Sequence, residues 1–243
     1  MQLEVGYRII QAPRFAITSD WPGRVRLNSG VTEDDGKFFP KPDWRSPTEA
    51  ELALLIDESP RASFPSDALC LFAITEHLRS RWWTLAEAGM GSPDAGGDWF
   101  TGYARGLGEF ARFKGLPLPP SCSFTVAISS AGQPSTRIDT GSAVPRLAGL
   151  DFNVALEAAS PRTRVLGGLN LGDEPASIIF VNLPPVRLAV GRRFLGRSLE
   201  YPVVQLALKP GDGFWLPSEG MLFDGYTVDR EEIEIMLMMS CIE

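Results

Sequence analysis

Histidine is almost absent: of 243 residues only His77 carries an imidazole. Sites that need two or three imidazoles are therefore excluded within one subunit, and a Ser-His-Asp relay would have to be built on His77. His77 lies in ALCLFAITEHLRSRWWTLAEAG, a stretch expected to be helical, where a polar residue on the helix flank beside Glu76 or Arg81 is the simpler reading. Cysteine is nearly as sparse. Cys70, Cys122 and Cys241 are odd in number and far apart, so neither a disulfide framework nor a CxxC metal knuckle is indicated. Lysine is scarce, with only Lys37, Lys41, Lys114 and Lys209 among 23 basic residues. Any anion site is then expected to use guanidinium groups, which grip carboxylates in a bidentate fork. The chain also lacks a GxSxG elbow, a GxxxxGK[ST] loop and a GxGxxG fingerprint, which removes the usual support for hydrolase, nucleotide and dinucleotide readings. No apolar run approaches the roughly 18 residues that a membrane-spanning helix needs.

What is present suits a folded domain. With 44% hydrophobic residues the chain can bury one large core. A formal charge of −7 argues against general nucleic-acid binding, which requires a basic face to displace counterions from phosphates. The first twenty residues alternate polar and apolar positions, which reads as a strand rather than a signal peptide. Free thiols and no leader lead to the expectation of a cytoplasmic protein.

The texture changes near residue 118. Residues 1–118 mix strands (LEVGYRIIQ, RFAITS), a polar loop (NSGVTEDDGKFFPKPDWRSP) and three expected helices. The first, PTEAELALLIDE, can be capped by Ser46 or Thr48, with Pro47 and early carboxylates suited to its first turn. The second runs through DALCLFAITEHLRSRWWTLAEAG. The third, DWFTGYARGLGEFARFKG, carries Trp99, Tyr103, Leu107 and Phe110 at helical spacing. Residues 119–243 read as all β: SFTVAISS, STRIDTG, TRVLGGLNL, ASIIFVNL, VRLAVG, VVQLALK, GFWLP, MLFDGYT and EIEIMLMMS are strands parted by turn signals such as GDEP and PGDG. The expectation is an α+β protein, mainly β, in which a jelly roll is supported by N-terminal helices within one integrated domain.

The segment TRIDTG, at residues 136 to 141, ends one of these strands. Together with LNLGDEPASIIFVNLPP and LKPGDGFWLPSEGMLFDGYTVDREEIEIML, it gives the chain a resemblance to the 2-oxoglutarate and iron(II) dependent oxygenases over about residues 120 to 240. That resemblance implies a double-stranded β-helix core. It also aligns Arg137 with the family's first metal-binding histidine, Asp139 with its carboxylate, and Phe223 with its distal histidine. Only the carboxylate remains of the triad that iron(II) requires, and Arg137 puts a fixed positive charge beside the cation's place.

The resulting expectation is a metal-independent, cofactor-free enzyme acting on a small molecule by acid/base chemistry, such as cyclisation, isomerisation or elimination. Asp139 and Asp224 are the proton-transfer candidates. Arg137, Asn170, Trp215 and Tyr226 are the substrate-binding candidates. Alternation along a strand puts Arg137 and Asp139 on one face, where the guanidinium would hold the carboxylate ionised. A structural Arg-Asp bridge is the competing reading of that pair. The alternatives for the whole chain are a non-catalytic ligand- or partner-binding relative of an oxygenase, and an oxygenase with an atypical iron site. Neither nucleic acid nor membrane is expected as a partner, and a homodimer is expected only by analogy with other jelly rolls.

Overall fold

The computed structural model describes residues 3, 6, 8–11, 19–34, 37–59, 68–77, 79, 80, 122–129, 136–139, 163–182, 194–217, 222–225 and 234–242. They build a mainly β protein with few helices. Its elements are β1 (Arg8–Gln11), a 3-10 turn (Trp21–Arg24), β2 (Val25–Leu27), β3 (Val31–Asp34), β4 (Lys37–Pro40), α1 (Glu49–Leu55), β5 (Ala68–Ala73), β6 (Cys122–Ser129), β7 (Thr136–Asp139), β8 (Thr163–Asn170), β9 (Ala176–Val181), β10 (Val204–Leu208), β11 (Asp212–Pro217), β12 (Leu222–Gly225) and β13 (Glu234–Ile242). A seven-stranded sheet has the order β1-β5-β11-β8-β13-β6-β7, and a four-stranded sheet the order β12-β9-β10-β2. The hairpin β3-β4 stands apart. Both main sheets are open, and no barrel closes among the described residues.

The sheets share one core. Leu69, Leu71, Phe214 and Leu216 from the larger sheet cluster with Val25, Ile178, Phe180, Val204, Leu206 and Phe223 from the smaller. Phe214 and Phe223 meet edge to face across the gap, with ring centroids 6.2 Å apart. On β10, Val204, Leu206 and Leu208 are buried while Gln205 and Ala207 are half-buried, the alternation of a strand with one face on the core.

Two sequence expectations need correction. The stretch 67–89 is not one helix: Ala68–Ala73 is strand β5, between β1 and β11, and among the described residues that follow it, 76–77 and 79–80 are helical. A strand buried on both faces loses its alternation, so a continuous apolar run reads equally as helix or strand. The polar loop at 28–47 contains the β3-β4 hairpin, in which Thr32 pairs with Phe39 and Glu33 with Phe38. The expected third helix, the strand RFAITS and the strand VRLAVG lie outside the described residues, except Ser19 at the end of RFAITS.

The capping reading for the first helix holds. Thr48 Oγ1 accepts from the Glu51 amide and the Glu51 carboxylate accepts from the Thr48 amide, a closed capping box. Arg45 clamps the same carboxylate at 2.6 and 2.8 Å and, foremost among several hydrogen bonds, holds its pKa down to about 2.

Glycines set how closely three neighbouring strands pack. Gly213 lies opposite Phe72, Gly168 opposite Phe214 and Gly167 opposite Trp215. In each pair the aromatic ring lies over the bare Cα of its cross-strand partner. A Cβ added at Gly213 would stand 2.6 Å from Phe72 Cε2 and 2.8 Å from the Gly168 carbonyl; one at Gly168 would stand 2.5 Å from Phe214 Cε1. Gly23 has open space instead, with nothing within 4 Å. Gly213→Ala is therefore expected to cost about 1–3 kcal/mol of stability by overpacking, and Gly23→Ala to stay within about 0.5 kcal/mol. Urea unfolding of the two variants measures the difference.

Candidate functional site

Strand pairing places the residues singled out in the sequence, beginning with β7 at the edge of the larger sheet. Asp139 pairs with Thr125, Thr125 with Met238, Met238 with Gly168 and Gly168 with Phe214, a single transverse row across five strands. Arg137 heads the next row of the same face, through Ala127 and Met236 to Asn170. Residues in one row of an antiparallel sheet share a face. Phe214, which meets Phe223 of the other sheet, identifies this face as the one turned toward the second sheet. By register, then, Arg137, Asp139 and Asn170 occupy the inter-sheet face. At about 4.8 Å per strand, Arg137 and Asn170 are roughly 14 Å apart along their row.

The other candidates are placed differently. Trp215 is one residue removed from Phe214 and so takes the opposite face of the larger sheet, where it is buried against Phe72 with ring centroids 6.0 Å apart. Asp224 pairs with Ile179, in the row alternate to that of Phe223 and Phe180. Tyr226 lies outside the described residues.

Asn170 carries out structural work. Its Nδ2 donates to the carbonyls of Glu174 and Leu208 at 2.9 and 3.0 Å, and its Oδ1 accepts from the Gly172 amide at 3.1 Å. Both amide protons are used, so the side chain fixes the turn from β8 to β9 and ties it to the end of β10. That turn, GDEP, joins strands of different sheets and is not a hairpin. Arg79 secures it from outside, donating to the Gly172 carbonyl at 3.1 Å and to Asp173 at 2.7 Å while it also pairs with Glu76.

Beside it lies the Pro-Gly-Asp turn. Lys209–Asp212 has the features of a type II turn: Pro210 in second place, Gly211 at φ +85° and the Asp212 amide donating to the Lys209 carbonyl at 2.9 Å. The Asp212 carboxylate accepts from the Lys209 amide at 2.8 Å and pairs with Arg24. Burial is the largest influence on this carboxyl and raises its pKa above the ordinary value, while Arg24 and the Lys209 amide pull the other way. Asp20 completes the group, reaching Arg24 at 3.2 Å and Lys209 Nζ at 2.6 Å. Each of these charges has a partner, so this end of the sandwich is a clasp.

The sequence reading passed over Asn182, the residue after β9. Its side chain is fully buried, and neither Nδ2 nor Oδ1 has a hydrogen-bond partner among the described residues. The available signal was the alternation of ASIIFVN: one residue beyond the strand, Asn182 falls in the apolar series of Ile178 and Phe180.

His77 is exposed after β5. Cys70 is buried and its thiol pushed up to about 12 by desolvation, which leaves it protonated and inert. No group of three His, Cys, Asp or Glu side chains suited to a metal ion occurs among the described residues. None of the helices they form is long and apolar enough to cross a membrane. Comparison with protein-family models, curated proteins and solved structures found no match.

The clasp yields a pH test. Arg24→Met leaves a buried carboxylate without its cation and is expected to cost about 3 kcal/mol at pH 7. Asp212 then titrates still higher in the folded state. A raised folded pKa means that protonation favours the fold, so the deficit should shrink as pH falls through that value toward the ordinary one near 3.8. Thermal unfolding of wild type and variant between pH 7 and pH 4 reads this out; a deficit constant across the range contradicts it.

Proposed function

We propose that the chain is a double-stranded β-helix that holds a small polar or anionic molecule between its sheets and transforms it by proton transfer, without iron. The observation that carries the reading is the strand register that puts Arg137 and Asp139 on the face turned toward the second sheet.

The winding of the chain supports the fold half of the proposal. From β8 onward the strands step between sheets: β8 in the larger, β9 and β10 in the smaller, β11 back in the larger, β12 in the smaller and β13 in the larger. The β9-β10 pair continues into the β8-β11 pair, and β12 and β13 then add beside β9 and β8. An antiparallel ribbon folded over itself in this way generates a jelly roll. Strand β6 adds beside β13, and β7 brings TRID to its edge.

The chemical half follows from residue types. An arginine and an aspartate two residues apart on one face give a cation to hold a carboxylate or oxyanion and a base kept ionised by that cation. Asp139 carries the proposal ahead of Asp224, whose place is in the row of Ile179. Asn170 is better read as a turn clasp than as a substrate ligand, because its amide protons are engaged. The single histidine follows β5 and lies on neither β7 nor β12, so no imidazole pair is available to these strands.

The test is a panel of small hydroxy, keto and amino acids incubated with the protein, with calorimetry for binding and mass spectrometry for products. Wild type is expected to convert at least one compound. Asp139→Asn should lower that turnover by about 10²–10⁴-fold with binding kept, and Arg137→Gln should weaken binding of the carboxylate. Binding without conversion would instead favour a non-catalytic ligand-binding protein. Turnover unchanged in Asp139→Asn would sink the catalytic assignment.

A further inference from the structure

Three asparagines are buried among the described residues, and they divide two to one. Asn28 donates through Nδ2 to the Lys41 carbonyl at 2.8 Å, and its Oδ1 accepts from the amides of Gly30 and Val203 at 3.0 and 2.9 Å. Asn170 is equally engaged through both ends of its amide. Asn182 is no less buried, at 0% exposure, yet both its side-chain polar atoms lack partners.

A buried amide without hydrogen bonds costs stability, and native proteins keep few such groups. Swinging the residue out to water is opposed by its backbone. Its carbonyl accepts from the Tyr201 hydroxyl at 2.7 Å, and Tyr201 is itself fully buried and braced edge to face by Phe194 at 5.1 Å. Continued alternation from β9 aims the residue to the side of Ile178 and Phe180, which is the side of the inter-sheet space, since Phe223 pairs with Phe180 and meets Phe214.

We infer that Asn182 is a ligand-binding residue at the end of the inter-sheet space, and that it takes an uncharged group presenting a hydrogen-bond donor and acceptor side by side: a primary amide, a lactam or a protonated carboxyl. A carboxamide offers one donor face and one acceptor face and no charge, so its complement has the same two edges reversed. Val181, which adjoins it in the chain, and Tyr201, which holds its backbone, are buried, and a charged head group would lose its hydration there without a counter-ion. This inference rests on the reading that ligand is held between the sheets, and it adds the chemistry of the ligand's uncharged part.

The experiment uses 2-pyrrolidone and acetamide as probes, acetate at neutral pH as the charged comparison, and the full chain. In wild type, either amide probe should move the NMR signal of the Asn182 side-chain NH2 group, and acetate should not. Asn182→Leu should weaken probe binding by about tenfold or more. Without probe it should unfold no lower than wild type, because an unpaired amide has been replaced by an apolar group of similar size. Asn28→Leu, which breaks three real bonds, should lower Tm by several degrees, at about 2–4 °C per kcal/mol for a chain of this size. An Asn182 signal indifferent to both amides overturns the inference. So does an Asn182→Leu protein that loses Tm as Asn28→Leu does while keeping probe affinity, since that pattern means buried water completes a structural amide. The wild-type NMR measurement decides even if the leucine variant does not fold. Asp139→Asn should leave the amide probes bound, so failure of the proton-transfer assignment and failure of this site give different results.

Discussion

Most of the described sandwich hangs on one tight turn. Lys209–Asp212 carries the chain from the smaller sheet to the larger, and nearly every polar group on it is tied to another element. The Gly211 amide donates to the Asn170 carbonyl at the end of β8, and the Gly211 carbonyl accepts from the Ile74 amide beyond β5. The Leu208 carbonyl accepts a hydrogen bond from Asn170 Nδ2, and the Asp212 carboxylate reaches back to Arg24 beside β2. Three elements distant in sequence, the ends of β5 and β8 and the 3-10 turn before β2, thus meet at this turn. The arrangement depends on proline and glycine in consecutive places, since the second central position has φ +85°.

On the proposed function, with that end occupied by structural bonds, the polar groups for a ligand lie elsewhere on the inter-sheet face. Two strand positions on β7, in the larger sheet, and the buried amide after β9, in the smaller, are the proposed ones. The arginine-aspartate pair and the asparagine are of opposite character, charged against neutral, which suits a molecule with an ionised end and an uncharged one. The aromatic contact of Phe214 with Phe223 lies between the sheets and separates neither from the apolar core.

Much of this was legible in the sequence where local rules apply. Alternation and turn signals marked the described strands after residue 120, Thr48 and Glu51 announced the helix start, and PGDG was read as the turn it is. Alternation also put Arg137 and Asp139 on one face. The failures are of a different kind. ALCLFA carries no period because both faces of β5 are covered, and its partners are β1 and, some 140 residues later, β11. Asn170 looked like a pocket residue because its bonds run to turns that only tertiary pairing brings near. Asn182 escaped notice because an unsatisfied group can be recognised only after every neighbour is placed.

The order of the larger sheet bears on how the chain is made. Strands β1 and β5 pair in parallel and are made well before β11, the strand that covers the free edge of β5 and whose last residue is Pro217. Until β11 has been made, some 140 residues after β5, that edge presents unpaired amides and carbonyls beside the apolar row Leu69, Leu71. At about 5–20 residues per second, the vulnerable interval lasts seconds to tens of seconds. The wide spacing of β5 and β11 in the sequence therefore opens, during synthesis, an edge that the finished sheet conceals.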